Sequence, residues 1–336
     1  MTKMLYAGID VSKDKLDVAI ASSKEKILLT AIFDNNLTGY RKLKSWSKKH
    51  SKSYDEIHFC MESTGIYHEE IAEFLQEEHF VVSVINPAQS KAFAESRLCR
   101  TKTDKVDAGI LAHYCLLHQP EEMIKLPDDV KKLKRLMRFL NTQIEARAKE
   151  KTRLHSIKDE DVAHVLKGTI SFLSDSIAKT QNLIKNHLKN SPELERKAKL
   201  LKTIPSIGEK TTWEILAEIH IEDGKNVNVK AQVAHAGLAP KDHLSGSSIR
   251  GKSKICKKGN ANLRKALYMP AVNGITHNPI LFGFYHRLLS RGKLKKVALV
   301  AAMRKLLAIA IGVLRNNQPF QVDWAEQKKA TFALST

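Results

Sequence analysis

The sequence predicts an α/β domain built on a mixed sheet, followed by a mainly helical region. Short apolar runs separated by polar turns fill residues 4–34, and helical and strand-like segments then alternate as far as residue 118. Apolar runs of that length are typical of strands. From Leu133 onward, leucines and isoleucines recur at three- and four-residue steps, which is typical of amphipathic helices.

Three strands begin the α/β domain, predicted at residues 4–11, 15–21 and 26–33. The turns at 12–14 and 22–24 are short and polar, which favours antiparallel hairpins. A helix beginning at Asn36 or Thr38 comes next. It is followed by a strand at 57–61, a helix at 66–78, a strand at 81–85 and helices at 88–96 and 104–118. Three meandering strands followed by α/β units predict a mixed sheet with helices on both faces.

The helical region begins after an acidic linker bracketed by Pro120 and Pro127. Two sets of apolar residues, within 133–157 and 166–188, predict a long helical hairpin or a short coiled coil. Apolar helices at 266–275 and 297–314 are expected to form the core of the last domain. The predicted domains are therefore 1–125, 126–195 and 196–336.

Residues 201–208, followed by an apolar helix at 211–219, resemble a helix-hairpin-helix. Backbone N–H groups in such a turn can receive a phosphate without reading bases. Ser206 stands where the usual hairpin has glycine. A helix-capping turn without a ligand is therefore the alternative interpretation.

Positive charge is concentrated in the helical part of the chain. The sequence has 56 Lys and Arg against 36 Asp and Glu, a net charge of +20, and residues 126–336 hold 39 of the basic and 18 of the acidic side chains. The first partner to expect is therefore DNA or RNA. The first predicted helix of this region offers Lys131, Lys134, Arg135 and Arg138 as contacts to the nucleic-acid backbone, and a solvated helix face is the alternative.

Several classes of protein are excluded by composition. The four cysteines, Cys60, Cys99, Cys115 and Cys256, form no C-x-x-C pair, which predicts reduced thiols and neither a disulfide framework nor a zinc site. The N-terminus has no signal-peptide pattern. Arg304 and Lys305 interrupt the one long apolar stretch, so a buried helix is favoured over a membrane span. We expect a cytoplasmic protein.

Four carboxylates occupy positions that predict a metal site. Asp10 lies near the end of the first strand, Glu62 directly follows the strand at 57–61, and Asp104 and Asp107 share one face at the start of a helix. If the first and fourth strands are adjacent, these side chains converge. Mg²⁺ then neutralises them, and two such ions would form a clamp for phosphodiester displacement. The alternatives are Asp104 as a helix N-cap and Glu62 paired with a lysine.

The motifs that contain these residues resemble the DEDD transposases of bacterial insertion sequences, the insertion-sequence-110 family, which also includes Piv-type DNA invertases. The resemblance extends over nearly the whole chain. It rests on residues 6–13 (YAGIDVSK), 61–67 (MESTGIY), 85–87 (INP) and 102–108 (KTDKVDA), and later on 236–240 (AGLAP), 245–246 (SG) and 258–264 (KGNANLR).

This resemblance implies an RNase H-like (RuvC-like) N-terminal domain with Asp10, Glu62, Asp104 and Asp107 as ligands of Mg²⁺, with Mn²⁺ as a substitute. It implies a coiled-coil segment, then a C-terminal transposase domain that supplies a serine nucleophile. It also implies that a bridge RNA selects donor and target DNA.

The nucleophile is expected in the polar loop 242–253. The family motif places the serine just before glycine, which selects Ser245, with Ser247 as an alternative because Leu244 replaces a frequent preceding serine. A serine acts as a nucleophile only when a base or metal activates it. Basic side chains in and after the loop are expected to contact phosphates: Arg250, Lys252, Lys254, Lys257, Lys258 and Arg264.

The predicted function is DNA transposition or site-specific recombination by a bacterial, nucleoid-associated protein. A composite site of this kind predicts a homodimer or homotetramer. The alternatives are a protein-only DNA invertase, a metal-dependent nuclease or junction resolvase without a covalent serine step, and a nucleic-acid binder without enzymatic activity.

Overall fold

The computed structural model describes residues 4–21, 27–51, 56–63, 65–98, 103–221, 227–241, 244–245, 249–250 and 254–322. The chain divides by its internal contacts into two compact units, Met1–Lys125 and Leu126–Thr336.

The first unit is an α/β structure whose elements follow the predicted order. They are β1 (Leu5–Val11), β2 (Lys15–Ala21), β3 (Ile27–Asp34), α1 (Leu37–Lys48), β4 (Ile57–Glu62), α2 (Tyr67–Glu77), β5 (Val81–Ile85), α3 (Pro87–Ser96) and α4 (Asp104–His118). The strands form one sheet of order β3-β2-β1-β4-β5. β1 pairs antiparallel with β2 and parallel with β4, and β5 is parallel to β4. The predicted mixed sheet is confirmed.

The two faces of the sheet are covered by different helices, as the sequence predicts. On one face, Ile9, Phe59 and their neighbours pack with Tyr40 and Leu43 of α1 and with buried residues of α2. On the other face, residues of β1, β2 and β4 contact α4 in two smaller clusters. Since strand side chains alternate between faces, Asp10 lies on the same face as Tyr6, the α4 face.

The contact between β1 and α4 depends on a glycine. A Cβ atom at Gly8 would lie 2.1 Å from the carbonyl oxygen of Ala108 and 2.3 Å from the amide nitrogen of Ala112. No side chain fits that space, so glycine is required for the helix backbone to lie directly on the strand. The small side chains of Ala108 and Ala112 are fully buried at this crossing.

The segment that leaves α4 is fixed to the edge strand β5. Ser83 Oγ is 2.9 Å from the carbonyl oxygen of Pro120 and 2.7 Å from that of Glu121, and buried His58 contacts the same hydroxyl at 2.7 Å. The Met123 amide donates to the Val82 carbonyl at 2.7 Å. One backbone hydrogen bond and the Ser83 hydroxyl thus hold this segment against β5.

The second unit is helical with short strand pairs. Its helices are α5 (Asp128–Ser156), α6 (Glu160–Lys189), α7 (Pro192–Lys202), α8 (Glu209–Glu218), α9 (Val229–His235), α10 (Ala261–His277), α11 (Pro279–Ser290) and α12 (Lys295–Asn316). Its strands are β6 (Pro240–Lys241), β7 (Leu244–Ser245), β8 (Ile249–Arg250) and β9 (Lys254–Ile255). The predicted helical hairpin is α5 and α6. They run antiparallel, because Gln143 contacts Ser176 and Arg147 contacts Ser174.

One apolar core joins the helices of the second unit. Leu133 and Leu140 of α5, Ile184 of α6 and many residues of α7–α12 belong to the same cluster. α12 is long and apolar enough to cross a membrane by length and composition, but half of its apolar window is buried inside the protein. Leu306 and Ala310 of α12 are fully buried in this core, which is the packing of a core helix.

The turn between α7 and α8 has the backbone conformation that a glycine favours. Ser206 has a φ of +82°, in the left-handed region that is costly for residues with a Cβ. Gly208 is the N-cap of α8, which has no side-chain cap. The turn therefore leaves the first amide groups of α8 without a capping side chain.

Candidate active site

Two neighbouring parallel strands deliver the first pair of predicted carboxylates. In the pairing of β1 with β4, Gly8 lies opposite Cys60 and Ile9 opposite Met61. Asp10 and Glu62 come next on their strands, at the same edge of the sheet. Alternation places both on the α4 face, because Gly8 and Cys60 are two residues earlier.

The second pair begins α4. Thr103, at a φ of −146°, is the N-cap, and its side-chain oxygen accepts from the Val106 amide at 3.3 Å. Asp104 and Asp107 lie within the first turn, where the helix dipole favours negative charge. The alternative in which Asp104 caps the helix is therefore wrong, because Thr103 is the N-cap.

The pKa of Asp10 indicates which carboxylates lie close to it. Burial, followed by the charges of Asp107, Asp104, Glu62 and Asp17 in that order of importance, raises the pKa of Asp10 to about 6. The other three predicted carboxylates thus lie close enough to Asp10 for their charges to act on it. A fifth carboxylate, Asp17, belongs to the same group and was not predicted.

Asp17 was not predicted as a site residue, because it is an ordinary polar position in the alternating pattern of β2. It lies directly opposite Asp10 in the antiparallel pairing, and it is 6% exposed. Lys15, also not predicted, accompanies it. Lys15 Nζ lies 3.1 Å from Asp17 Oδ2 and 2.5 Å from Asp104 Oδ2. These hydrogen bonds, first to Asp104 and then to Asp17, raise the pKa of Lys15.

Ser90 orients the carboxylate of Glu62. Its hydroxyl donates to Glu62 Oε1 and lies 3.0 Å from the carbonyl oxygen of Pro87, and the residue is 3% exposed. The start of α3 is fixed by a capping box of Asn86 and Gln89. A buried hydroxyl on a capped helix is a rigid partner for a functional carboxylate.

The chemistry of this cluster fits a hard divalent cation. Carboxylate oxygens are the ligands that Mg²⁺ and Mn²⁺ prefer, and a cation would relieve the repulsion that acts on Asp10. One cationic group, Lys15 Nζ, already lies between two of the carboxylates. Over the part of the chain that is described, no three His, Cys, Asp or Glu side chains are arranged as a ready-made metal cage.

The predicted serine loop contains two short strand pairs. β6 pairs with β9 and β7 with β8, both antiparallel, and Ser245 lies opposite Ile249. Ser245, Arg250 and Lys254 are therefore strand positions. Ser247 and Lys252 lie outside the described residues.

The base of this hairpin is held by the later motif residues. Gly237, at a φ of +66°, and Gly259, at +138°, adopt glycine conformations, and a Cβ at Gly259 would lie 2.3 Å from the carbonyl oxygen of His235. Arg264 Nη1 donates to the carbonyl oxygens of Ala236 at 3.2 Å and Lys257 at 3.4 Å. Arg264 thus ties the two ends of the hairpin together, and no sequence pattern indicated this contact.

The other predicted nucleic-acid residues differ in their surroundings. On α5, Lys131 lies 3.5 Å from Asp128, and Lys134 lies 3.6 Å from Glu218. Arg135 is exposed and Arg138 is partly buried. Lys257 and Lys258 are exposed beside the serine hairpin. The ion pairs of Lys131 and Lys134 make these two cations less available to a phosphate.

Comparison with protein families gives two matches. A DEDD transposase model of the IS110 type matches residues 7–160. A model described as "Transposase IS116/IS110/IS902 family" matches residues 198–286. The first match contains all the clustered carboxylates, and the second contains Ser245 and its hairpin.

Individual relatives agree with the family matches. The chain is 35% identical over 324 residues to the pilin gene-inverting protein of Moraxella bovis, covering 94% of this chain and 97% of that protein. The Moraxella lacunata protein of the same name matches with the same identity and coverage. The insertion element IS110 uncharacterized 43.6 kDa protein of Streptomyces coelicolor is 30% identical over 118 residues, covering 35% of this chain and 28% of that protein.

Proposed function

The chain belongs to the IS110 family of transposases and is a DNA transposase or recombinase, and on that basis we propose that it cuts and rejoins DNA with a carboxylate-held metal and a serine nucleophile. The observation that carries the proposal is the gathering of Glu62, Asp104 and Asp107 around Asp10. A DEDD domain indicates a dependence on a divalent metal. We assign Mg²⁺ to it, with Mn²⁺ as a substitute.

Asp10, Glu62, Asp104 and Asp107 would hold the metal, with Ser90 orienting Glu62. When bound, the metal stabilises charge that develops on the phosphate oxygens during displacement. The order of strands in the sheet and the position of these carboxylates at its edge support an RNase H-like (RuvC-like) assignment for residues 1–125. The division of the remainder into 126–195 and 196–336, and the coiled-coil character of the first part, stay predictions.

Ser245 is the proposed nucleophile. Its Oγ loses a proton and bonds to the scissile phosphorus, and the bond from phosphorus to one sugar oxygen breaks as that oxygen takes up a proton. Attack by a sugar hydroxyl of another strand reverses the step and frees the serine. The hairpin that carries Ser245 supports this role, because its base is held by Gly237, Gly259 and Arg264.

The basic residues of the second unit would hold nucleic acid. The net charge of +21 on residues 126–336, from 39 basic and 18 acidic side chains, supports this. Lys257 and Lys258 are exposed. Arg250, Lys252 and Lys254 accompany them in the sequence, and Lys131, Lys134, Arg135 and Arg138 form the second group, on α5. We infer donor and target DNA as substrates, a bridge RNA as guide, and a dimer or tetramer as the active form in the nucleoid.

Trapping a covalent intermediate tests the chemistry. With Mg²⁺ and DNA carrying the ends of the element, we expect a protein–DNA adduct on a denaturing gel that Ser245→Ala and Asp10→Ala abolish while DNA binding persists. Ser247→Ala is the matched control, and it should still form the adduct. Unchanged strand cleavage by Ser245→Ala would identify a metal-dependent nuclease or resolvase instead.

Site-specific DNA inversion is the second candidate function. The observation in its favour is the full-length similarity to two pilin gene-inverting proteins. Sequencing the RNA that copurifies with the protein from its native host separates the two. A discrete RNA from the flank of the element supports guided transposition, whereas inversion by protein purified free of RNA supports the protein-only invertase.

A further inference from the structure

A cavity of about 530 Å³ lies between α5, the start of α8 and α10 in the second unit. None of the side chains that the sequence predicted to contact nucleic acid lines it. Binding sites for small ligands typically have volumes of about 300–1,000 Å³, so one nucleoside fits this space. The cavity contains neither the clustered carboxylates nor Ser245.

Part of the wall of the cavity is apolar. Ile144 of α5 and Met269 and Pro270 of α10 line it. Met269 is 58% exposed although its side chain is large and apolar. Unstacked bases in protein complexes lie against apolar or aromatic side chains of this kind.

One polar pair inside the cavity is held in a fixed orientation. Asn141 Nδ2 donates to Glu214 Oε2 at 3.1 Å, both residues line the cavity, and Glu214 is 1% exposed. Because the amide nitrogen donates and the amide oxygen accepts, this bond fixes which end of the amide turns toward Glu214. Asn141 Oδ1 then remains as an acceptor and the second hydrogen of Nδ2 as a donor, side by side on the amide. Neither makes a hydrogen bond to another described residue.

Further polar groups line the same cavity, and one of them is buried without a partner among the described residues. Ser206 Oγ is buried and has no hydrogen-bond partner among the described residues. Exposed Lys210 follows at the start of α8. Lys265 Nζ reaches Glu145 Oε1 at 2.7 Å and joins α10 to α5 beside the cavity. A buried hydroxyl without a partner and a cation nearby suit a polar, negatively charged ligand.

We propose that this cavity receives one unstacked adenine of a single-stranded segment, recognised by the amide of Asn141. An asparagine amide matches adenine because the base presents an amino donor beside a ring-nitrogen acceptor. Glu214 is a positioning residue that holds the amide, and Lys210 neutralises the adjacent phosphate. The site goes beyond the proposed function, because it requires neither a metal nor Ser245. The strand is DNA or RNA, since both present the same base.

Binding of short labelled oligonucleotides tests the site directly. Fluorescence anisotropy compares nine-residue oligothymidylate with versions that carry one central dA, dG or dC, all with EDTA present, and a uridine series with the same substitutions forms the RNA arm. We expect the adenine version to bind about tenfold more tightly than the uniform one in at least one arm. Because backbone charge is equal throughout a series, that difference reports the base alone.

Variants locate the preference in the cavity. Asn141→Ala should abolish the adenine preference while leaving binding of the uniform strand unchanged, and Ala266→Phe, which fills the cavity from α10, should do the same. Asn182 is an exposed asparagine of α6 outside the cavity, so Asn182→Ala is the control and should keep the adenine preference. Equal binding of all bases by the wild-type chain in both arms, a preference for another base, or an adenine preference that survives both variants would overturn the proposal. If the protein–DNA adduct at Ser245 failed to form but the adenine preference were present, this proposal would stand and the proposed serine chemistry would not.

Discussion

Asp10 has a carboxyl group whose pKa is shifted by its position in the site. Its folded-state pKa is about 6 against an ordinary value of 3.8, through burial first and then neighbouring carboxylates. A carboxyl group with a raised folded-state pKa destabilises the folded chain at pH values above that pKa. The penalty shrinks as the pH falls from about 6 toward 3.8 and is lost below 3.8, where Asp10 is protonated in both states.

Asp10→Asn should therefore stabilise the metal-free protein while abolishing strand cleavage. At about pH 7.5 with EDTA, we expect the free energy of unfolding to rise by about 1–2 kcal/mol, less than the full shift implies because Asp10 is partly exposed. At about pH 4.5 the gain should largely disappear. Urea denaturation at both pH values measures it. Asp14→Asn, in the exposed β1–β2 turn, should show neither effect, and an unstable Asp10→Asn would contradict the repulsion.

Ser90→Ala should weaken metal binding without removing any ligand. Because Ser90 Oγ orients Glu62, we expect the Mg²⁺ concentration for half-maximal cleavage to rise about tenfold. Titrating Mg²⁺ in the adduct assay measures it. Ser96→Ala, at the exposed end of the same helix, is the matched control. An unchanged Mg²⁺ requirement in Ser90→Ala would rule out the positioning role.

The main carboxylates could be predicted from the sequence, but their supporting residues could not. Asp10, Glu62, Asp104 and Asp107 follow recognisable elements or motifs. Asp17, Lys15 and Ser90 acquire their roles only through the register of β2 against β1 and the placement of α3. Single-sequence patterns do not specify either of these.

At the scale of elements, the packing of α4 on β1 decides whether the carboxylates meet. Gly8→Ala should destabilise the protein by about 3 kcal/mol and abolish cleavage, because the new Cβ would collide with the α4 backbone. Gly109→Ala, which adds the same methyl group on α4, is the control. Its Cβ would meet Ile27 Cδ1 at an ordinary 3.6 Å, and it should be neutral or stabilising by up to about 1 kcal/mol. Equal effects in thermal denaturation would contradict this account.

In the turn before α8, a substitution to glycine is expected to stabilise the protein. Ser206→Gly should raise the free energy of unfolding by about 1 kcal/mol, because glycine adopts a φ of +82° without the penalty of a Cβ. Ser206→Ala removes the same hydroxyl but keeps the Cβ, so it should gain less. The difference between the two variants in urea denaturation isolates the backbone term. Equal stability of both would attribute the effect to the buried hydroxyl.

Most elements of the first unit could be predicted from apolar runs and polar turns, and the bounds of β2, β5 and α4 agree with the structure. α9 and α11 were not predicted. α9 has only seven residues, too few for a periodic signal. In α11 only Leu281 is buried, so its apolar residues mark no single face.

At the scale of the whole molecule, charge divides between the two units. Residues 1–125 hold 17 basic and 18 acidic side chains, whereas residues 126–336 hold 39 and 18. This division follows from the sequence alone. The sequence does not show which cations remain available to bind phosphates, because ion pairs such as that of Lys134 with Glu218 form only in the folded chain.

Binding of nonspecific duplex DNA should depend steeply on salt. If the chain neutralises about six to ten phosphates, affinity should fall roughly 10³–10⁵-fold between about 50 and 200 mM salt. Asp10→Asn should give the same slope, because that residue belongs to the nearly neutral unit. Anisotropy titrations across this range measure the slope. A shallow dependence, equivalent to about two ions, would contradict backbone binding by the basic unit.

The segment after α4 also covers part of β5, the last strand of the sheet. A sheet edge with unpaired amide and carbonyl groups is a template for strands of other molecules. Here the Met123 amide and the Ser83 hydroxyl join that segment to the edge. A fragment ending at His118 would expose β5 to strand addition, so anyone isolating the first unit should retain the chain through Lys125.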